Sequence, residues 1–414
     1  MDEKDFLNKI MNINGSAYIV GGWVRDIIMQ RQHNDKDYTI CGVSENDFLS
    51  LFPDALKVGR SFPVFLLNID GRNCEVALAR TEKKSGTGYR GFTVNTDTTV
   101  CIEEDLFRRD TTMNSMAYSL SSNEIIDPYG GKSDIANKII RATSEHFSED
   151  PVRALRAARQ AAQFDFTIEP ETYKLMAKCG RELCMEPTER IFNELNKAIR
   201  SQKPSIFFRD LSKAHLLQIV FPNLYKLIGC KQLQVCHPEG DAFEHTMMVL
   251  DTVAAVNIRP EVRFAALMHD IGKGETPNDI LPHHYGHETR GIVVLQEMNK
   301  RFMFPHRWCE CAEFAIREHM RPSKMTQPGK VVDLLVSLGK HPIGVDGFAA
   351  IIAADNNGLQ ADCIKNYEVY MKAIKEAAQT DIPQELKGHE IKDWLLQREI
   401  NAFIEARKNI ISRS

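Results

Sequence analysis

The chain has little of what would mark it as secreted, membrane-bound or held together by metal and disulfide staples. Its 414 residues include ten cysteines, but these follow no framework spacing. Several, such as Cys101 and Cys179, sit in apolar runs, so reduced, buried thiols are expected. The close pair Cys309 and Cys311 is a C-x-C with no second pair, which argues against a cysteine zinc site. No stretch approaches ~20 consecutive apolar residues, so no membrane-spanning helix and no membrane partner are expected. The opening MDEKDFLNKI is charged where a secretory leader would be apolar, and a cytoplasmic location is expected. An excess of positive charge is also missing: 52 Lys and Arg face 56 Asp and Glu, a net charge of −4. That balance argues against a long nucleic acid gripped by charge alone. It leaves room for a local basic groove and a compact, structured RNA. Internal repeats and low-complexity segments are absent as well.

What is present is ordinary for a globular chain, with 43% hydrophobic and 26% charged residues. The length is too great for one core, so several domains are expected. The first ~140 residues alternate short β-rich runs with turns, among them AYIVGG, DKDYTICG, FPVFLLNIDG, NCEVALART and NEIIDPYGG. One helix is expected after Gly22, starting near Trp23. From about Glu149 the period becomes helical. EDPVRALRAARQAAQF sets Val152, Leu155, Ala158 and Ala162 on one face, with Arg153, Arg156 and Arg159 at three-residue spacing. The stretch KLIGCKQLQVCHPEGD reads as a connection, and a second helical unit begins near Phe243.

The segment YIVGGWVRDIIMQRQHNDKDYTICG carries the most chemistry. Glycines at the strand-to-helix turn let the backbone approach a phosphate, and free N–H groups at a helix start attract anions. Arg25, in the first helical turn, can reach the same phosphates. On a strand, residues two apart share a face, so Asp35 and Asp37 aim at one point. Two carboxylates held that close call for a cation. Magnesium bridging to a nucleoside triphosphate suits them, because it takes few carboxylates plus phosphate oxygens. An isolated D-x-D would be a solvated strand edge; after Gly-Gly and Arg25 it points to phosphoryl transfer.

GGWVRD followed by DKD resembles the head signature of polymerase-β-like nucleotidyltransferases, in the group of class II tRNA CCA-adding enzymes and poly(A) polymerases. LFRRDTTMNSMAY, DPYGG and EDPVRALRAAR resemble further motifs of that family, in order over roughly residues 17–200. ARTEKKSGTGYRGF resembles its flexible loop. The resemblance implies an α+β fold: a nucleotidyltransferase head with a small mixed sheet, then an all-α neck and body. It implies addition of CCA to the tRNA 3′ end from CTP and ATP, without a nucleic-acid template. Gly22 and Arg25 would contact the triphosphate, and Asp35 and Asp37 would hold Mg2+ with Glu75 as a third carboxylate. Asp110 and Asn114 would sit near the ribose and Arg109 near the nucleotide. Asp150 and Arg153 would read the incoming base, with Arg156 and Arg159 lining its pocket. A carboxylate accepts from the exocyclic amino group that C and A share and U lacks, which accounts for the choice of CTP and ATP. EDPVR also reads as a helix N-terminus, and both roles are compatible.

Downstream, His245 lies in FEHTMMVLDTV, His269-Asp270 closes VRFAALMHDIGKG, and His283, His284 and His287 follow; Asp355 comes later, in AAIIAADNNG. An H…HD…D set on helices supplies imidazoles and carboxylates for one or two divalent ions, with Ni, Mn, Co and Mg all open. It resembles the HD phosphohydrolase superfamily. That resemblance implies phosphatase, 2′,3′-cyclic phosphodiesterase or 2′-nucleotidase activity at His245, His269, Asp270 and Asp355.

The expected domains are a head at 1–142, a neck and body at 143–226, an all-α HD domain at 227–345 and a helical region at 346–414. A monomer or homodimer is expected. The rivals are a poly(A) polymerase or an A-only or CC-only adding enzyme. A phosphohydrolase with a nucleotide-binding head, or a pure tRNA-binding protein, is a rival of another class.

Overall fold

The computed structural model describes residues 1–32, 35–58, 64–84, 86, 91–232, 240–379 and 381–412. They form two compact units, one covering Met1–Val220 and a second beginning at Phe221. Among the described residues no single helix is long and apolar enough to cross a membrane.

The first unit opens with a mixed sheet. Its strands are β1 (Ser16–Val20), β2 (Asp37–Cys41), β3 (Leu56–Val58), β4 (Val64–Ile69) and β5 (Arg72–Leu78). A separate hairpin of β6 (Thr81–Lys84) and β7 (Phe92–Asn95) follows, and the chain returns for β8 (Ala117–Ser119) and β9 (Ile125–Ile126). The sheet order is β3-β4-β5-β2-β1-β8-β9. Every pairing in it is antiparallel except β2 with β5. Each β-rich run read from the sequence holds a strand; β3 and β8 in this sheet, and the β6–β7 hairpin, are additions. One sheet face packs on an apolar cluster in which Phe48 lies 4.7 Å from Phe65 and 4.9 Å from Phe52, ring centre to ring centre. The helix Glu3–Met11 closes that cluster with Phe6 and Ile10, its start fixed by Asp2, which accepts from the Asp5 N–H at 2.7 Å.

The helices of the first unit start where their residues dictate. Gly22–Ile28 follows β1 directly, as the Gly-Gly turn requires. Val152–Phe164 begins after Pro151 and stops at Asp165, which adopts a left-handed φ of 57°. Its apolar face is fully buried, and Ile139–Ile140 pairs with Thr167–Ile168 beside it. Thr188–Ile199 packs against it, carrying Arg190, Asn193, Glu194 and Lys197.

The second unit is helical. Ala242–Val256 starts at Asp241, whose carboxylate accepts from the N–H groups of Phe243 and Glu244 at 2.9 and 3.1 Å. Pro260–Met268, His287–Phe302, His306–Glu318, Pro328–Lys340, Gly344–Asp355, Tyr367–Ala378 and His389–Ile411 follow. One core extends from Val249 to Phe403, so the helices after Lys340 share their apolar interior with those before it. The fold is therefore α+β, a small-sheet head followed by helices, as the sequence indicates.

Candidate active sites

A cavity of about 660 Å³ in the first unit gathers most residues the sequence nominates. Gly22, Arg25, Asp37, Glu75, Arg109, Asp110, Asn114, Asp150, Arg153, Arg156 and Arg159 all line it. The register explains the carboxylates. Asp37 stands opposite Val20 on one side and opposite Glu75 on the other, because β2 pairs in parallel with β5. Val20 leads into Gly21, so the turn and the two acids share one end of the sheet. Lys36, between the two aspartates, turns away to Glu3 at 2.7 Å.

Asp35 precedes the strand and does not line this cavity. It borders an adjoining cleft of about 560 Å³, whose wall also includes Asp37 and Glu75. The cleft strips water from Asp37, and the charges of Glu75 and Asp35 add to that, pushing its carboxyl up to about 6 against the pull of Arg109. Three hard oxygen donors that repel one another fit a divalent cation such as Mg2+.

Gly21 takes a φ of +70°, and a Cβ there would meet the Arg109 guanidinium at 3.2 Å, so the turn admits little but glycine. Arg109 is itself held by Asp105 at 3.0 Å, and Arg108 grips the other oxygen of Asp105 at 2.7 Å. Burial opposes the charge on Asp105, yet the two guanidiniums hold its carboxyl down to about 2.

Asp110 and Asn114 are knitted into the protein. Asn114 accepts from Arg25 at 2.8 Å and donates to Asp110 at 3.1 Å. Asp110 also accepts from Arg156 at 2.7 Å, Gln160 at 3.1 Å and the Thr111 N–H at 2.8 Å. It is buried, and despite that burial the Arg156 charge keeps its carboxyl well below the usual range. Asp110 thus ties Arg25 and Arg156 to one anchor.

Asp150 and Arg153 have partners of their own. Asp150 accepts from the Val152 N–H at 3.2 Å, the helix-capping role read from EDPVR, and from Arg190 through both oxygens at 3.1 and 2.9 Å. Arg153 donates to the His146 carbonyl at 2.8 Å. Arg159 is fixed by Glu194 at 2.7 Å. Arg80, Arg108, Arg190 and Lys197 also line the cavity and were not singled out from the sequence. With them the lining holds eight arginines, an interior suited to a polyphosphate. The tip of the segment ARTEKKSGTGYRGF, residues 85 and 87–90, lies outside the described residues. Its stem is the β6–β7 hairpin, where Lys84 pairs with Glu182 at 2.6 Å.

In the second unit His245, His269, Asp270 and Asp355 converge, their donor atoms all within 4.8 Å of one another. They come from the helix Ala242–Val256, the end of Pro260–Met268 and the last residue of Gly344–Asp355. His269 Nε2 and both Asp270 oxygens are buried without a hydrogen bond. Burial disfavours charge on His269, but the nearby Asp270 and Asp355 carboxylates raise its basicity. The chemistry of the set fits a divalent ion.

The turn after Asp270 brings up another segment. A Cβ on Gly272 would lie 2.0 Å from the His287 carbonyl, so only glycine permits this approach. His287 thereby reaches Asp270, as does His319, which the sequence reading did not select. His283 and His284 line a pocket of about 530 Å³ together with Lys273, Lys324, His287, His319 and Asp355.

Three families match the chain in order. Residues 17–141 match the poly A polymerase head domain, 165–227 the probable RNA and SrmB-binding site of polymerase A, and 242–374 the HD domain. The multifunctional CCA protein of Mannheimia succiniciproducens is 38% identical, over 96% of this chain and 99% of that protein. That of Acinetobacter baylyi is 36% identical, over 95% and 97%. Among solved structures, the Bacillus stearothermophilus CCA-adding enzyme in complex with CTP superposes with a TM-score of 0.61 at 20% identity, covering 99% of this chain and 97% of that one. The Thermotoga maritima CCA-adding enzyme complexed with tRNA gives 0.60 at 19%, covering 99% and 96%. These structural likenesses speak to the fold; the full-length relatives speak to ancestry. By those full-length relatives the chain belongs to the multifunctional CCA protein family, with a nucleotidyltransferase head and an HD domain.

Proposed function

We propose that the first unit adds C, C and A to the 3′ end of tRNA from CTP and ATP. The observation that carries this reading is the cavity itself, with Asp37 and Glu75 in register at one end and eight arginines around it. Arg25, Arg109 and Arg156 bind and orient the triphosphate. Asp35 and Asp37, with Glu75, would hold Mg2+, which when bound supplies charge neutralisation at the attacking and leaving oxygens. The terminal tRNA hydroxyl attacks the α-phosphate, and pyrophosphate leaves. Asp150 and Arg153 select the base, Asp150 accepting from the amino group of cytosine or adenine.

The cluster of His245, His269, Asp270 and Asp355 favours a second activity, hydrolysis of phosphoesters such as terminal phosphates or 2′,3′-cyclic phosphates. It would use a divalent metal drawn from Ni, Mn, Co or Mg. A cytoplasmic enzyme fits both activities. A poly(A) polymerase is disfavoured by the HD domain and the net charge of −4. A pure phosphohydrolase or tRNA-binding protein would leave the carboxylates at the end of the sheet without a task.

The deciding experiment incubates protein and Mg2+ with tRNA ending at the discriminator base, at C or at CC. CTP and ATP are supplied separately and together, and products are resolved to single nucleotides. Growth that stops at CCA supports the reading. A long A ladder would mean a poly(A) polymerase, and no extension would overturn the proposal.

A further inference from the structure

We propose that Phe164, the last residue of the helix Val152–Phe164, is a positioning residue for triphosphate binding. Its ring holds the Arg25 guanidinium in place, so that one helix governs both ends of the nucleotide. This deepens the reading of Arg25 as a triphosphate ligand and rests on it.

The Arg25 guanidinium is engaged along its edges. Nε and Nη2 lie 2.8 and 2.7 Å from Asp26 Oδ1, and Nη1 donates to Asn114 Oδ1 at 2.8 Å. Such bonds run in the plane of the group and leave its flat surface to other neighbours. Phe164 meets that surface, with the guanidinium carbon 4.8 Å from the ring centre. Gly22 also lies against the group. A Cβ there would stand 3.4 Å from Nη2 and 3.9 Å from Cζ and Nη1.

Arg25 is a cation with little water around it, its side chain 13% exposed. Burial lowers its basicity; Asp26 opposes that, and the Arg159 charge adds to it. The negative face of an aromatic ring stabilises such a desolvated cation without occupying an N–H group. A second carboxylate would stabilise the cation too, but it would repel an incoming triphosphate. An aromatic ring is therefore the neighbour that steadies this arginine and leaves its charge for the phosphates.

The ring is itself held and shared. Asp165, in a left-handed conformation, ends the helix, and the Phe166 N–H returns to the Ala161 carbonyl at 3.1 Å. That turn sets Phe166 behind Phe164, their ring centres 5.8 Å apart. The same Phe164 ring takes Arg31, whose guanidinium carbon is 4.9 Å from its centre. The chain turns at Gln30, with φ 53°, and the Arg31 N–H donates to the Asp26 carbonyl at 2.9 Å. Both ends of that turn thus grip one ring. Arg153, proposed to read the base, stands about three turns earlier on the helix that carries Phe164. Base and phosphate contacts are then registered to each other through a single rigid element. Two cations against one ring separate Phe164 from a space-filling residue, for which leucine would serve.

The test measures CTP and ATP affinity by calorimetry on the full chain with Mg2+ and no tRNA. Phe164 is replaced in turn by mono-, di- and trifluorophenylalanine, which keep the ring's shape while draining charge from its face. Affinity is expected to weaken stepwise along the series, equally for CTP and ATP, because Arg25 is assigned to the phosphates. Phe164→Leu is expected to lose about 2- to 30-fold, the span of a cation–π contact. In an Arg25→Ala background the fluorinated rings are expected to add no further loss. A flat response to fluorine, with Arg25→Ala still weakening CTP, would overturn the positioning role and leave Arg25 as a triphosphate ligand. Unchanged CTP affinity in Arg25→Ala would overturn that reading as well. The fluorinated series decides even if Phe164→Leu fails to fold.

Discussion

Arg190 meets both oxygens of Asp150, at 3.1 and 2.9 Å, and also pairs with Glu186 at 2.6 Å. The carboxylate proposed to read the incoming base is thus aimed by a residue on another helix, Thr188–Ile199. Asp150 is held by Arg190 with no nucleotide bound, so on the proposed reading base selection would depend on a side chain that need not touch the base.

Replacing Arg190 with Ala should therefore impair selection more than folding. Losing a bidentate, charge-assisted pair costs about 1.5–3 kcal/mol, or roughly 10- to 100-fold in the favoured reaction. Single-turnover addition of CTP against UTP to tRNA lacking CCA measures this. The CTP rate should fall and the ratio of the two rates should narrow.

Asp37→Ala should separate the two activities. Nucleotide addition should fall by about 1,000-fold or more, since several kcal/mol of charge stabilisation goes with the metal. Phosphoester hydrolysis at the HD site should persist. Assaying both reactions on one preparation checks the separation.

Asp105 is a structural counterpart, buried between Arg108 and Arg109. Asp105→Asn should destabilise the first unit by about 3–5 kcal/mol, because the guanidiniums lose the charge that holds them. Its carboxyl is held down to about 2, so its stabilising contribution is present above the ordinary carboxylate pKa. That contribution is lost as pH falls through the folded value. Urea titrations from pH 7 to pH 3 should show the wild-type advantage over the variant shrinking in acid.

Gly272→Ala should act on the second unit alone. The added methyl would press on the His287 carbonyl, an overpacking cost of about 1–3 kcal/mol. Metal retention after dialysis should drop while CCA addition is preserved.

Much of this was legible in the sequence because the informative residues are close in the chain. Gly22, Arg25 and Asp37 lie within one strand–helix–strand stretch, and His269-Asp270 ends a single apolar helix, so local periodicity sufficed. Arg190 and His319 were missed for the opposite reason. Arg190 sits on an ordinary amphipathic helix and His319 just past the end of another, and the meaning of each comes from a tertiary partner, Asp150 at 40 residues' separation and Asp270 at 49. No local pattern encodes that choice. Asp110 illustrates the remaining gap: the motif marked it as important, but only the packing shows it binding Arg156, Gln160 and Asn114 at once.

The residues that converge on Asp270 are drawn from successive helices, beginning with His245 on Ala242–Val256 and ending with Asp355, 110 residues later. Such a set exists only when those helices are assembled, so an ion bound there binds the folded chain and not the unfolded one. By mass action it adds RT ln(1 + [L]/Kd) to the folding free energy, about 2.7 kcal/mol at a hundredfold excess over Kd. The divalent ion is then a ligand of the fold as much as of the chemistry. A cell short of that metal would lose the second unit's resistance to heat and proteases, even when no phosphoester is present to be cleaved.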